Sequence, residues 1–363
     1  MQRPCFLYLL VGYMSNFMPL MSDSKMPRPV DGPAAWYGDD LQTDLSWEMK
    51  WTSDQVNELI AAGNYFLSLD KPLEKISPKD FPLPSISAVL KNVSSELMAG
   101  RGFVLIRGLP VHDLGLKLSA AIYLGLGSHI GSLRSSNAKG HLLGHVKDQG
   151  VDIKNKDVRF YQTNKKLDFH TDSADLVALL CLQKAKNGGE SYIASSISLY
   201  NEIVRRRPDL VHALFLPYPT DRRGEIPDGF DPWYNMPIFT WHDGQLTCTY
   251  IRQYIDSAQV NFPESPRLSS EQIEVMDLID EILAEGKIVL SMAFEPGDIQ
   301  LLHNHQILHS RNDFHNWPEP ERARHLLRLW IAPKTGRALP DYFASRWGSV
   351  TPGDRGGIIV PGT

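Results

Sequence analysis

The feature that most constrains this 363-residue chain is a pair of ligand-rich segments far apart in sequence. Phe169-His170-Thr171-Asp172 sets a histidine and a carboxylate at i and i+2, and extended backbone projects both to one side. Far downstream, the run from His303 to Arg311 offers His303, His305 and His309, three histidines in seven residues. One His-x-Asp pair is about what chance supplies in a chain with 12 histidines, so the first segment alone reads equally as a surface His beside a turn Asp. The two segments together are more restrictive. Two histidines and one carboxylate on one face of an ion leave positions open, the arrangement suited to non-haem iron(II) and oxygen chemistry. Zinc is the competing metal, although closed zinc sites usually recruit Cys or a fourth ligand. Spacing alone leaves all three downstream histidines as candidates.

Arg322-Ala-Arg324-His-Leu-Leu-Arg328-Leu-Trp330 follows. As a strand it puts Arg324, Leu326, Arg328 and Trp330 on one face. Two arginines on a leucine-lined strand are costly to bury without anions. The functional reading is a carboxylate anchor, because guanidinium forks match carboxylates bidentately. The bland one is a pair of salt bridges on an exposed strand.

Short β-rich runs separated by turn residues dominate the rest. Gly102–Arg107, Val177–Leu182, Ser191–Ala194, Pro237–Trp241, Leu246–Tyr250, Lys287–Leu290, Asp298–Leu302 and His325–Ile331 read as strands. Asp243-Gly244 marks a hairpin between two of them. Helices are expected after Thr52 or Ser53, from Ser85 to Ala99 with Gly100 as the stop, and after Ser269 or Ser270. Arg205-Arg206-Arg207 reads as the end of a solvated helix. Many short strands with few helices imply a mainly β fold with flanking helices, a jelly roll or related closed double sheet. The residues after Pro333 read as an irregular tail over the barrel.

In order and spacing, these segments resemble the TauD/TfdA-like family of Fe(II)/2-oxoglutarate dioxygenases. The motifs that carry the resemblance are Gly102-Phe-Val-Leu-Ile-Arg-Gly-Leu109, Phe169-His-Thr-Asp172, Gly188-Gly-Glu-Ser191, Pro296-Gly-Asp298, Leu308-His-Ser-Arg311 and Arg324-His-Leu-Leu-Arg328. The resemblance implies a cupin-like double-stranded β-helix with iron on His170, Asp172 and His309. It selects His309 over its neighbours and leaves His303 where the family usually has Asp. It further implies that Arg324 binds the distal carboxylate of 2-oxoglutarate, with Ser191 as a hydroxyl-bearing helper and Arg328 nearer the substrate. The expected cofactors are Fe(II), 2-oxoglutarate as co-substrate and O₂, with succinate and CO₂ released as a small organic substrate is oxidised. Because Asp172 occupies the position that halogenases of the superfamily leave vacant, hydroxylation, desaturation or ring closure is expected. An acid or amino acid is the first candidate substrate, and a larger natural-product intermediate of secondary metabolism the second. Tyr161, Asn164, the Trp233-Tyr234 insert, Tyr342-Phe343 and Arg346 are candidate substrate contacts, though such aromatics more often belong to a core. A zinc hydrolase or lyase, or a non-catalytic jelly-roll binding module, is the alternative of another class.

Composition narrows the partners. A formal net charge of −5 without a long basic run argues against a general nucleic-acid binder. Three scattered cysteines (Cys5, Cys181, Cys248) form no CxxC pair, which fits a reducing, cytoplasmic setting. The apolar run Cys5–Tyr13 is too short to span a bilayer, so no membrane partner is expected. Residues 1–25 read as a dispensable leader or over-long start, with targeting as the alternative, ahead of a single domain from 26 to 363. Oligomeric state is not legible.

Overall fold

Leu176–Gln183 carries the sequence LVALLCLQ, apolar on both faces, as a strand covered on both sides must be. In the computed structural model it lies near the middle of a seven-stranded sheet, between Ile299–His303 and His325–Ala332 and antiparallel to both. Phe103–Arg107 and then Glu48–Lys50 extend this sheet on one side, while Ser132–Arg134 and Gly144–Val146 both pair with His325–Ala332 on the other. A second, four-stranded antiparallel sheet runs in the order Val289–Met292, Ser191–Ser195, Ile307–Arg311, Leu167–His170. The structure describes residues 27–137, 139–151, 159–227 and 229–359; the expected leader lies outside these.

The chain passes repeatedly from one sheet to the other. Leu167–His170 belongs to the smaller sheet, Leu176–Gln183 to the larger and Ser191–Ser195 to the smaller; the return path through Val289–Met292, Ile299–His303, Ile307–Arg311 and His325–Ala332 alternates in the same way. Between the sheets, Phe103, Leu105, Cys181 and Leu326 from one side meet Ile193, Leu290, Met292 and Ile307 from the other. Helices Ser53–Ser68, Ile86–Ala99 and Val111–Ile130 share a core with the outer face of the large sheet. Helices Ser196–Arg206 and Ser270–Glu285 cover the small one.

Two of the expected helix starts carry full capping boxes. Thr52 and Gln55 cap the first helix reciprocally, as Ser269 and Gln272 cap the last. Ile86–Ala99 begins differently: the Glu58 carboxylate accepts from the backbone N–H groups of Ser85 (3.0 Å) and Ile86 (3.1 Å), so the cap comes from another helix. Asp243 and Gly244, both at positive φ, turn the hairpin between Phe239–His242 and Gln245–Cys248. Helix content exceeds the expectation. Val111–Ile130 was not anticipated because its residues 119–127 are buried on all sides, which erases the amphipathic period, and Gly115 interrupts it with a non-helical conformation. No helix among the described residues is long and apolar enough to cross a membrane.

The tail after Pro333 is irregular, as expected, but fastened by a buried charge. Arg355 and Asp175 are both fully buried; the guanidinium Nη2 donates to Asp175 Oδ1 at 2.7 Å and Nε to Oδ2 at 3.0 Å. His305 Nε2 lies 2.8 Å from the same carboxylate, with its ring stacked on Trp347 at 5.0 Å. Gly357 N–H completes the join by donating to Ser173 O at 2.7 Å. Removing one partner of such a pair strands the other charge without water. Arg355→Leu is therefore expected to cost about 3–5 kcal/mol of unfolding free energy, read from urea denaturation. Lys184→Ala breaks an exposed pair with Glu295 and should cost under about 1 kcal/mol.

Candidate active site

Strand register builds the site. Antiparallel pairing of Ile307–Arg311 with Leu167–His170 sets His309 opposite His170, and the chain leaving His170 turns Asp172 toward both. Ligand atoms of His170, Asp172 and His309 all lie within 4.8 Å of one another. His170 Nε2 is 3.8 Å from Asp172 Oδ1, and His309 Nε2 is 3.8 Å from Oδ2. The competing histidines point elsewhere: His305 is bound to Asp175, and His303 Nδ1 lies 2.9 Å from Gln306 Oε1.

The protonation states suit metal binding. His170 Nδ1 lies 2.9 Å from the Asp168 carbonyl, which fixes Nδ1 as the donor and leaves the Nε2 lone pair facing the triad. Burial lowers the pKa of His170, and burial together with His170 pushes His309 down to about 3, so both rings are neutral ligands at neutral pH. Burial would raise the Asp172 carboxyl, but Arg328, His309 and His170 together hold it at about 2. Arg328 Nη1 is 3.6 Å from Oδ2, and the Trp330 indole N–H donates to that oxygen at 2.8 Å. The predicted common face of Arg328 and Trp330 is thus the face that meets the carboxylate.

Asn304 secures the backbone beneath. Its Oδ1 accepts from Asp172 N–H at 2.8 Å, while its Nδ2 donates to the carbonyls of Asp172 at 2.5 Å and Ala174 at 2.8 Å.

Arg324 is buried just ahead of its strand. One Nη donates to Gly189 O at 3.3 Å, the other has no hydrogen-bond partner among the described residues, and the guanidinium lies 5.1 Å from the Phe314 ring. A Cβ on Gly189 would sit 2.8 Å from Arg324 Nε, and its φ of +78° favours glycine as well, so the Gly188-Gly189 motif makes room for this side chain. Arg311 approaches Phe314 at 4.9 Å and also leaves a buried Nη without a partner. Burial, then the neighbouring Arg324, lowers Arg311 to about 9; burial lowers Arg324 to about 10. Ser191 is buried on the adjacent strand, paired in register with Arg311, and accepts from Gln300 Nε2 at 3.4 Å.

A cavity opens on the triad, lined by His170, Asp172, Tyr161, Tyr234, Tyr254, Arg159, Arg328 and Arg346 among others. Of the candidate substrate contacts, Tyr161, Arg328 and Arg346 line this cavity. Asn164 does not line the cavity; its carbonyl accepts from Phe314 N–H. Phe343 is fully buried in a cluster with Met236, Leu339 and Trp347, which takes it out of substrate reach. The sequence reading gave no role to Asn304, Arg311, Arg159 or Glu225. The first two lay in plain view, inside the histidine-rich segment and at the end of the Leu308-His-Ser-Arg311 motif; no local pattern marks the other two.

The sequence profile of the Taurine catabolism dioxygenase TauD, TfdA family matches residues 69–330. The chain belongs to this family. It is 31% identical over 332 residues to FR-33289 synthase of Streptomyces rubellomurinus, covering 89% of this chain and 96% of that one. Taurine hydroxylase-like protein SAT17 of Stachybotrys chartarum is 29% identical over 316 residues, 84% of this chain and 80% of its own. Among solved structures, asparagine oxygenase with Fe(II), 3-hydroxyasparagine and succinate superposes with a TM-score of 0.61 at 15% identity, covering 78% of this chain and 93% of that one. The non-haem iron oxygenase OrfP with Fe and α-ketoglutaric acid gives 0.59 at 14% identity, covering 78% and 93%. The protein is a non-haem Fe(II)/2-oxoglutarate-dependent dioxygenase acting on a small molecule, with Fe(II), 2-oxoglutarate and O₂ as cofactors.

Asn304→Ala should destabilise the protein by roughly 2–4 kcal/mol, since it takes the partner from three backbone groups, one fully buried and two partly so. Asn304→Asp, which sets a carboxylate against two carbonyls, should cost more. Thermal unfolding of the three proteins side by side checks the order.

Proposed function

We propose that His170, Asp172 and His309 hold Fe(II) at the mouth of a double-stranded β-helix domain spanning residues 26–363, and that the protein oxidises a small anionic or zwitterionic substrate. The observation that carries the reading is the convergence of three buried ligand atoms within 4.8 Å, two of them neutral imidazole nitrogens and one an ionised carboxylate. Three protein ligands of this kind suit iron(II) with positions left for co-substrate and oxygen.

Arg324 would take the distal carboxylate of 2-oxoglutarate. In support, it and Arg311 are buried guanidiniums with an unpartnered Nη each and no carboxylate in ion-pair contact among the described residues. A pair left so is costly unless an anion completes it. Ser191 would hydrogen-bond the same group, from the strand position opposite Arg311.

Bound iron, 2-oxoglutarate and O₂ together supply the oxidising power that removes hydrogen from a substrate C–H bond, with succinate and CO₂ as by-products. The chain's own part is positioning and electrostatics. Trp330 and Arg328 share one oxygen of Asp172 and keep the carboxylate ionised and oriented. Asp168 O holds the His170 tautomer. Arg328, stacked 4.7 Å from Tyr161 and 4.5 Å from Trp330, presents its charge to the cavity. Tyr161 and Arg346 would border the substrate, while Asn164 and Phe343 drop from the list on their placement. Hydroxylation is the favoured outcome, since relatives and neighbours are named for a taurine hydroxylase and for hydroxylated amino acids.

Anaerobic addition of Fe(II) and 2-oxoglutarate should produce the visible charge-transfer band of the chelate. His309→Ala should abolish it, and Arg324→Met should raise the 2-oxoglutarate concentration needed by about 10²-fold, the loss of a charged, bidentate contact. A folded, iron-loaded protein without the band would instead favour zinc chemistry or a binding role.

A further inference from the structure

Beyond the metal ligands, the charged lining of the cavity is unbalanced. Arg159, Arg328 and Arg346 line it, against the carboxylates Asp172 and Glu225. Arg328 is committed: it lies 3.6 Å from Asp172 and between the rings of Tyr161 and Trp330. Asp172 belongs to the metal. What remains is Glu225, one of whose oxygens lies 2.7 Å from Arg159 Nη2 and 3.8 Å from Arg346 Nη2.

A third guanidinium stands behind these two. Arg222 lies over Tyr234 at 5.2 Å and Phe230 at 5.3 Å, and donates to the carbonyls of Asp231 and Ser345. No carboxylate is in ion-pair contact with it among the described residues. Burial, and then the nearby Arg346, lowers it to about 10. Arg159 and Arg346 therefore share one carboxylate in largely buried surroundings, and Arg222 behind them feels only Asp231 from beyond ion-pair distance, which leaves positive charge in excess. They are also held in place. Arg159 Nη1 donates to Tyr254 OH at 2.8 Å, and Arg346 lies against the Tyr234 ring at 5.7 Å. Arg346 sits in the short helix Ala344–Trp347 and Glu225 in the turn after Arg222. The three segments meet only in the folded chain.

We propose that Arg159 and Arg346, backed by Arg222, form the specificity site for the substrate and receive a compact dianion of the phosphate or phosphonate class. This deepens the reading given under Proposed function and rests on it. Two convergent guanidinium forks offer more donors than one carboxylate can use, and they match the several oxygens of a tetrahedral oxyanion. A monocarboxylate would bring one charge and two oxygens, fewer than the two forks can engage. Glu225 aligns the two forks through a single oxygen, Arg159 also donates to Tyr254 OH and to Arg222 O at 3.4 Å, and the ligand takes the N–H groups that these contacts leave.

The test is calorimetric titration of the anaerobic Fe(II)–2-oxoglutarate protein with methylphosphonate, inorganic phosphate, sulfate and acetate. Phosphate and methylphosphonate should bind at least about tenfold more tightly than acetate. Phosphate affinity should fall as pH drops through phosphate's own second ionisation, close to neutral pH, which removes one of its two charges. Arg159→Met and Arg346→Met should each weaken phosphate binding by about tenfold or more, the worth of a charged hydrogen bond, while retaining the charge-transfer band as proof of folding. Arg159→Lys should recover little, because an ammonium has no fork. Acetate binding as tightly as phosphate, no phosphate binding in a protein that shows the band, or unchanged phosphate binding in the double Met variant would each overturn the proposal and leave the iron assignment standing. Absence of the band would overturn both.

Discussion

A carboxylate held away from water stays ionised only if its surroundings replace the lost hydration, and the architecture around Asp172 does this from several directions. The strand His325–Ala332 of the large sheet contributes Arg328 and Trp330, both to Oδ2. The small sheet contributes His170 and His309, each 3.8 Å from an oxygen of the carboxylate. The two sheets must therefore stack in one relative register for the cluster to exist. A slip of one residue in Ile307–Arg311 would turn His309 away from the site.

Below the carboxylate, the backbone from Asp172 to Asp175 is fastened at both ends. Asn304 holds Asp172 and Ala174 through three hydrogen bonds, and the Asp175 side chain joins His305 and Arg355. The histidine-rich segment thus divides its labour: His309 faces Asp172, while Asn304 and His305 hold the opposing turn. The irregular tail earns its order here, since Arg355 brings residues near 355 onto the turn that follows the metal pair. That same tail places Arg346 at the cavity, so one buried ion pair helps to set the geometry of a second, more exposed charged cluster.

Much of the scaffold was legible because its signals are short-range. The capping residues Thr52 and Ser269, the Asp243-Gly244 turn and the apolar run at Leu176–Gln183 each act over a few residues, and each does what its chemistry predicts. One side-chain face was legible for the same reason: Arg328 and Trp330, at i and i+2 on extended chain, share a side and both reach Asp172 Oδ2. The family's spacing picked out His309, and in the structure His303 lies against Gln306 and His305 against Asp175. Val111–Ile130 escaped notice because complete burial removes the period on which a helix is recognised.

Sequence by itself thus determined most of the core strands, several helices and the dioxygenase family, all properties of residue identity and spacing along the chain. Tertiary structure alone decided which charges meet. Arg159, Glu225 and Arg346 lie in three segments with no shared pattern, as do Asp175 and Arg355, and nothing local tells one arginine that will be buried beside a carboxylate from another that ends in water. Phe343 shows the converse, an aromatic in a promising tail that packing against Met236 and Trp347 sends to the core. Coulombic and packing energies depend on distances through space, and those exist only once the sheets and the tail have come together.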